Sequence, residues 1–271
     1  MTYIKRFNAF HRIIHIILAA SFIILVATGI PLKYFNAPWA GWLMKLAGGY
    51  QTAGIIHRVC GAVTFGYFFA HVIYVIYYIA IVKKLKFKIF GPDSMVPRLK
   101  DLEDLYNNFK WFLGKGPRPK FDRWAYWEKF DYWGVFWGVG IIGVSGLVLW
   151  FPEFIGMYLP GWTINVATII HSDEALLAAG FIFTVHFFNN HIKPEKFPMD
   201  IAIFTGKLTL EDFQLERPVE YQRLVDEKRL EDFVAPPPKN WVVVSGILFG
   251  FLSLVTGFFL LALMFMGQFM H

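Results

Sequence analysis

The sequence predicts an all-α integral membrane bundle, and three features lead to that prediction. Hydrophobic residues make up 56% of the 271 residues, whereas charged residues make up 17%, below the quarter typical of soluble domains. The apolar residues form blocks long enough to cross a bilayer, which takes roughly 20 helical residues. Basic residues are concentrated in alternate loops, which is typical of a multi-pass membrane protein.

Five segments are predicted to span the membrane as helices. They are Ile13–Leu32, Thr52–Val82, Trp133–Phe151, Thr163–Ile192 and Trp241–Met266. Two long loops, 83–132 and 193–240, separate the later helices, and we interpret residues 1–271 as a single membrane domain. The polar start runs into the first apolar block without a small-residue cleavage site, so we expect the first helix to be retained.

The loop charges predict the orientation. Three basic residues precede the first helix, twelve lie between helices two and three, and eight lie between helices four and five. Only Lys33 and Lys45 lie between helices one and two, and no basic residue lies between helices three and four or after helix five. By the positive-inside rule, the N-terminus is cytoplasmic and the C-terminus is external.

Two loop segments are not predicted to span the membrane. In 97–113, apolar residues recur every three or four positions between charges, which indicates an amphipathic helix on the inner leaflet. The alternative is a helix packed on the cytoplasmic end of the bundle. Segment Thr209–Asp232 is charged and poor in apolar residues, which indicates a solvated or partner-facing region.

Several classes of protein lack their motifs here. Cys60 is the only cysteine, so an internal disulfide, an iron–sulfur site and a four-thiolate zinc site are excluded. The sequence contains no CxxCH for covalent haem and no phosphate-binding glycine motif. The net charge of +6 is explained by topology, so we expect no nucleic-acid partner.

Histidines in the apolar spans are the candidate functional residues, because an ionisable side chain inside a membrane is costly and suggests a role. Helix two carries His57 and His71, fourteen residues apart, and helix four carries His171 and His186, fifteen apart. Each spacing returns to nearly the same helix face about 21 Å further along. Both helices run from outside to inside, so the histidines form two layers.

These two layers predict bis-histidine ligation of b-type haem, because neutral imidazole suits haem iron. His57 and His171 form the outer layer. The partner of His186 in the inner layer is either His71 or His15, which lies at a similar depth in helix one. We therefore predict two haems within a four-helix core, or three if His15 and His191 hold another.

Small residues and one arginine accompany the histidines. Backbone must approach a porphyrin closely, and glycine and alanine allow this, although they also favour helix packing. The small residues are Gly54, Gly61, Ala62, Gly66, Ala175, Ala178, Ala179 and Gly180. Arg58, beside His57, is a candidate partner of a haem propionate, and the alternative is that its side chain snorkels.

The first helix, RFNAFHRIIHIILAASFIILVATGIPL, resembles that of the prokaryotic cytochrome b family that includes the formate dehydrogenase gamma subunit and the nickel–iron hydrogenase b subunit. The matching residues are Arg12, His15, Thr28 and Gly29. The resemblance implies that His15 pairs with His186 and that His57 pairs with His171. His71 departs from this family, and the spacings of fourteen and fifteen in helices two and four resemble the cytochrome b of bc complexes.

A narrower resemblance covers almost the whole chain. The segments GIIHRVCG, GPDSMVPRLKDL, KGPRPKFDRWAYWEKFDYWGVFWG, IIHSDEALLAAGFIFTVHFFNNHIKPEKFPMD and IFTG resemble a branch of cytochrome b proteins found beside multihaem c-type cytochromes. Members of that branch are thought to oxidise menaquinol for anaerobic or extracellular respiration. The resemblance implies a subunit of a respiratory oxidoreductase in a bacterial or archaeal cytoplasmic membrane.

The resulting hypothesis is an electron conduit between menaquinone or ubiquinone and a periplasmic or membrane-bound redox subunit. That partner is a multihaem c-type cytochrome or, as the alternative, an iron–sulfur or molybdenum protein. A quinone site needs polar groups beside a haem, and His191, Lys193 and Glu195 on one side and Asp173 and Glu174 on the other offer them. The alternatives are a stand-alone ferric or metal reductase and a haem-free membrane anchor.

Overall fold

The computed structural model describes residues 1–84 and 86–269 and is mostly helical, at 73%. Among these residues, five helices are long and apolar enough to cross a membrane. They are Ala9–Lys33, Tyr50–Val82, Tyr126–Trp150, Trp162–Ile192 and Asn240–Gln268, numbered spans one to five. The five predicted spans are thereby confirmed as helices. The terminal residue, His271, lies outside the described residues.

Span three begins seven residues before its predicted start, and the reason is electrostatic. Its first turns carry Glu128 and Lys129, charged residues that conceal the helix start in the sequence. Both have partners in the fold: Glu128 Oε1 lies 2.7 Å from the Arg217 guanidinium, and Lys129 Nζ lies 2.9 Å from Asp101. Paired charges are compatible with burial, so Lys129 is only 2% exposed.

Three of the spans contain π-helical turns. These lie at Tyr78–Val82, Val139–Gly143, Ile182–His186 and Phe188–Ile192. A π-helical turn rotates the side chains that follow it relative to a regular α-helix, and such turns are frequent at functional sites. In span four they carry His186 and His191, so the direction of these side chains does not follow from regular helical spacing.

One compact unit comprises Met1–Arg12, Ile73–Gly134 and Ile201–Gly246. It contains a three-stranded antiparallel sheet in the order β2–β1–β3, with strands Tyr3–Lys5 (β1), Lys207–Thr209 (β2) and Val234–Ala235 (β3). The central strand pairs Ile4 with both Leu208 and Val234. The core beneath the sheet consists of Ile4, Ala202, Leu208, Phe213 and Leu224.

Shorter helices complete the chain. They are Pro38–Leu46, Leu99–Phe112, Pro152–Gly156, Ala202–Thr205, Leu210–Glu216, Pro218–Asp226 and the 3₁₀ turn Leu230–Phe233. The segment expected to be solvated or partner-facing, Thr209–Asp232, instead contributes side chains to the core of the first unit. Its few apolar residues are placed to do so: Phe213 is 1% exposed and Leu224 is 2% exposed. Thr209 caps the first of its helices by accepting a hydrogen bond from the Asp212 amide.

A buried ionic cluster stabilises the same unit. Glu220 accepts a hydrogen bond of 2.6 Å from Arg6 and one of 2.9 Å from Arg123. Burial lowers the pKa of Arg6 to about 10, although the carboxylate of Glu220 opposes this shift. The cluster joins the N-terminal strand to segments more than a hundred residues away in the sequence.

The other compact unit comprises Ile13–Val72, Val135–Asp200 and Ile247–His271. Within it, spans three and four pack against each other. Span five approaches span four closely at Gly257, where a Cβ would lie 2.6 Å from the ring of Phe187. Gln268, at the end of span five, donates a 2.7 Å hydrogen bond to the hydroxyl of Tyr34. This unit contains all the histidines predicted as ligands.

Candidate functional site

Two pairs of histidines face each other within the membrane spans. The first pair is His57, on span two, and His171, on span four. Their ring centroids are 6.1 Å apart, and the ring planes meet at 67°. Both side chains are partly buried. The structure thus brings together the two residues predicted to form one layer.

The Nδ1 atoms of this pair are held by neighbouring spans. His57 Nδ1 lies 2.9 Å from Thr28 Oγ1 on span one, and the Thr28 hydroxyl itself donates to the carbonyl of Ile24. His171 Nδ1 lies 2.9 Å from the carbonyl oxygen of Ile142 on span three. A carbonyl can only accept, so Nδ1 of His171 carries the proton and Nε2 has a lone pair for a ligand. Metal-binding histidines commonly have this arrangement.

Two glycines leave room for these rings. A Cβ at Gly29 would lie 3.4 Å from Cε1 of His57, and a Cβ at Gly146 would lie 2.9 Å from Cε1 of His171. The second distance is shorter than normal contact, so only glycine fits beside His171 as it is placed. Gly54 and Gly61 flank His57 on span two, and in the described part of the chain a Cβ at either would meet no atom within 4 Å.

The second pair is His15, on span one, and His186, on span four. Their ring centroids are 6.4 Å apart, and the ring planes meet at 30°. The Nδ1 atom of His186 lies 3.2 Å from the side-chain amide nitrogen of Asn190, which also donates to the backbone carbonyl of His186. The ring contact between His15 and His186 places His15 in the same layer as His186. His71 instead lies edge-on to Phe136, with ring centroids 6.5 Å apart.

The spacing within each pair fits one haem iron between two imidazoles. A metal-bound imidazole nitrogen lies about 2 Å from the metal, and the ring centre lies about 1 Å further out. Two rings on opposite sides of one iron therefore have centroids about 6 Å apart. The observed separations of 6.1 and 6.4 Å meet this requirement. Neutral imidazole nitrogen is also the donor that haem iron accepts.

The two pairs lie at different depths in the bundle. Fifteen residues separate His171 from His186 along span four, which corresponds to about 20 Å of helix. Span one gives a similar separation. It carries His15, which belongs to one pair, and Thr28, which contacts His57 of the other pair, and these two residues are thirteen positions apart. Two layers of facing histidines are thus present. Of the two predicted alternatives for the partner of His186, the structure places His15 there and not His71.

The remaining predicted site residues lie outside these pairs. His191 is 8% exposed, and its ring is 6.2 Å from that of Phe187. Its Nδ1 atom is buried without a hydrogen-bond partner among the described residues.

Arg58 is exposed and lies over the ring of Trp150, at 6.0 Å from the centroid. Arg58 and Trp150 line an open groove together with Ile55, Val59, Ala62 and Val63. A propionate-binding role for Arg58 stays a prediction.

The acidic residues near His171 have protein partners. Asp173 pairs with Lys33 at 2.5 Å, and Lys33 also donates to Ser172. Glu174 accepts a hydrogen bond of 3.2 Å from Trp137 Nε1. These contacts account for both carboxylates through partners within the protein, so a quinone-binding role for them stays a prediction.

Residues on span three are the part of the site that the sequence interpretation missed. Gly146 and the carbonyl of Ile142 contact His171, and the hydroxyl of Ser145 lies 3.4 Å from its Nδ1. Span three has no histidine, so histidine spacing gave it no role. The pair Ser145–Gly146 within an apolar run is the signal that could have indicated a close approach.

No protein-family model matches the chain, and no curated protein sequence matches it. Among the described residues, no group of three or more histidine, cysteine, aspartate or glutamate side chains could hold a metal ion. A bis-histidine haem needs only two protein ligands, because the porphyrin supplies the other four nitrogens. The paired histidines are thus the arrangement from which a function can be argued.

Proposed function

We propose that the chain is a membrane-integral b-type cytochrome that holds two haems. His57 and His171 would hold one haem iron, and His15 and His186 would hold the other. The observation that carries this proposal is the separation of about 6 Å within each pair, together with the hydrogen bond that holds Nδ1 of His171. His71 is not needed as a ligand in this assignment. His15 is already paired with His186, so a third haem held by His15 and His191 is not part of the proposal.

The protein's own groups would set the properties of each site. Haem iron would supply reversible one-electron chemistry. The Ile142 carbonyl and the Thr28 hydroxyl fix the ring orientation of His171 and His57, and an Nδ1–H donated to an oxygen makes the opposite nitrogen a stronger ligand. The four histidines lie on apolar spans, and lipid around these spans would keep water away from the ligand nitrogens.

The depth of the two sites supports transfer of electrons across the membrane. About 20 Å along span four is roughly two-thirds of a hydrocarbon core of about 30 Å. One site would then serve each side of the bilayer. We propose that electrons pass between menaquinone or ubiquinone and a partner redox subunit, a multihaem c-type cytochrome or an iron–sulfur or molybdenum protein. The sequence resemblance is the support for these partners.

His191 is the best candidate for a quinone contact. It is buried, its Nδ1 has no hydrogen-bond partner among the described residues, and it lies five residues from His186. A polar atom of this kind suits a quinone carbonyl or hydroxyl oxygen, which needs a hydrogen-bonding group in an apolar site. The nearby Lys193 and Glu195 lie toward the end of the span, where protons can reach water.

The test is the haem content of the purified full-length protein. The expected result is about two noncovalent protohaems per chain by pyridine haemochrome analysis, with a low-spin spectrum as bis-imidazole ligation requires. Addition of a reduced menaquinone analogue to the protein in vesicles should reduce them. Protein expressed with sufficient haem that still contains none would overturn the proposal in favour of a haem-free anchor.

A second measurement separates the electron conduit from a stand-alone reductase. A conduit should transfer electrons from quinol to soluble ferric iron slowly when purified alone, and faster when its partner subunit co-purifies. If the isolated chain matches the rate of intact membranes, then the partner is dispensable and the reductase reading replaces ours.

A further inference from the structure

Helix Leu99–Phe112 exposes apolar side chains and buries polar ones, which is the reverse of the usual arrangement at a protein surface. The exposed side chains, here called the apolar face, are Leu99, Leu102, Tyr106, Phe109 and Leu113, each at least 59% exposed. At about 100° per residue they fall within an arc of about 80°. A continuous apolar strip of this kind on a soluble surface would have to be covered.

The polar side of the helix is fixed against the first turns of span three. Both carboxylate oxygens of Asp101 accept hydrogen bonds of 2.9 Å from Lys129, and Asn108 donates a 2.9 Å hydrogen bond to the Tyr126 hydroxyl. Asp101 and Asn108 are each 8% exposed. The helix therefore cannot turn its apolar face inward without leaving a buried lysine unpaired.

These contacts also fix the depth of the helix. Tyr126 and Lys129 belong to the first turn of a membrane span, and Trp133 donates a 3.0 Å hydrogen bond to the carbonyl of Met95 just before the helix. Trp133 and Phe130 are themselves exposed. Tryptophan with a hydrogen-bonded ring nitrogen is characteristic of the membrane–water boundary. The apolar face is thus held at the level of the bilayer surface.

The charge of the surrounding segment is suited to an anionic surface. Residues 83–120 contain ten basic and four acidic residues. Three of the four acidic residues are already paired: Asp93 with Arg223, Asp101 with Lys129, and Asp104 with Lys100. Basic residues close to a membrane are attracted to anionic lipid headgroups.

We propose that helix Leu99–Phe112 lies in the plane of the membrane, with its apolar face inserted between the headgroups and acyl chains of an anionic leaflet. The occupant of the apolar face is lipid, because the helix is bonded to the start of a span and lies in a segment with an excess of basic residues. The alternative reading, a helix packed on its own bundle through the apolar residues, disagrees with the exposure of those residues. The proposal does not depend on haem.

Spin labels on the full-length protein test this proposal. Cys60→Ser provides a background without cysteine, and a single cysteine then replaces Leu102 or Phe109 on the apolar face. Glu103 and Asn107 lie on the flank of the same helix, about 80° and 120° from the centre of the apolar face, and supply the matched control positions. Each labelled protein is reconstituted in vesicles of phosphatidylcholine with phosphatidylglycerol. Collision rates are measured with oxygen, which partitions into lipid, and with a water-soluble nickel complex.

The expected result is a several-fold higher ratio of oxygen to nickel accessibility at Leu102 and Phe109 than at Glu103 and Asn107. Labels on the apolar face that collide with nickel as often as the controls would place the helix in water and overturn the proposal. Labels shielded from both reagents would show a protein occupant, either a second copy or a partner subunit. If vesicles of phosphatidylcholine alone give the same immersion, then the preference for anionic lipid is wrong.

Discussion

The Nδ1 atom of His57 lies 2.9 Å from the hydroxyl oxygen of Thr28, and this contact orients a proposed iron ligand from a different span. Thr28 is 4% exposed, and its hydroxyl donates to the Ile24 carbonyl. The oxygen is therefore set to accept a hydrogen bond from the ring N–H. The tautomer and direction of His57 depend on a residue twenty-nine positions away in the sequence.

Thr28→Val should weaken haem binding at the His57–His171 site, because valine keeps the shape of threonine but cannot accept a hydrogen bond from the Nδ1–H of His57. Loss of such a supporting hydrogen bond costs roughly 10- to 100-fold in metal affinity. Haem retention during competition with an apoprotein acceptor is the measurement. Thr184→Val is the matched control, since Thr184 is exposed and its hydroxyl donates to the Gly180 carbonyl of its own helix. Equal retention in both variants would contradict the role of Thr28.

Gly146→Ala should remove haem from the same site and leave the other intact. The new Cβ would lie 2.9 Å from Cε1 of His171, and the ring cannot move away without losing its hydrogen bond to the Ile142 carbonyl. Haem content should fall by about half, since one of two ligand pairs is displaced. Gly140→Ala on the same span is the control, because in the described structure its Cβ would meet no atom within 4 Å. Full haem content in Gly146→Ala would mean that the ring lies elsewhere.

The membrane spans could be predicted from the sequence because lipid imposes one requirement on every segment that crosses it. Backbone groups must be bonded within the segment, so long apolar helices are the outcome. The start of span three was the exception, since its paired residues Glu128 and Lys129 look like loop residues until Arg217 and Asp101 are known. The core around Phe213 was also missed, because it depends on Ile4, two hundred residues earlier.

The candidate site was predictable within a helix but less so between helices. Spacing fixes which histidines share a face of one helix, and so His57 and His171 were correctly expected together. Spacing does not fix the rotation of a helix about its neighbours, and π-helical turns near His186 alter it further. Geometry from the sequence therefore left His15 and His71 open, and only packing of the spans distinguishes them.

The orientation in the membrane stays a prediction from loop charge. A cytoplasmic reporter inserted beside Lys115, in the exposed turn after helix Leu99–Phe112, should be active inside the cell. The same reporter after His271 should be inactive, whereas one that works only outside should be active there. The reverse pattern would contradict the positive-inside assignment and exchange the two sides of the membrane for both proposed haems.

Glu220→Gln should destabilise the first compact unit. Glu220 is 2% exposed and neutralises both Arg6 and Arg123, so its loss leaves two buried or half-buried guanidinium groups without a counter-charge. Removing one partner of a buried ion pair costs about 3 kcal/mol or more. Denaturant unfolding in detergent, followed by tryptophan fluorescence, measures the change, and Trp124 lies 5.6 Å from the Arg6 guanidinium. Glu231→Gln, at an exposed site, should change the free energy of unfolding by less than about 0.5 kcal/mol.

The ligand pairing makes the sharpest prediction about the site. His57→Ala and His171→Ala should each remove one and the same haem, and His15→Ala and His186→Ala should each remove the other. His71→Ala should leave both, because its ring lies beside Phe136 whereas that of His15 lies 6.4 Å from His186. Redox titration of each purified variant, monitored by its visible spectrum, identifies the haem that remains by its midpoint potential. If His71→Ala loses the haem at His186 and His15→Ala retains it, then His71 is the ligand and His15 is not. The packing of span one would then differ between this structure and the haem-loaded protein.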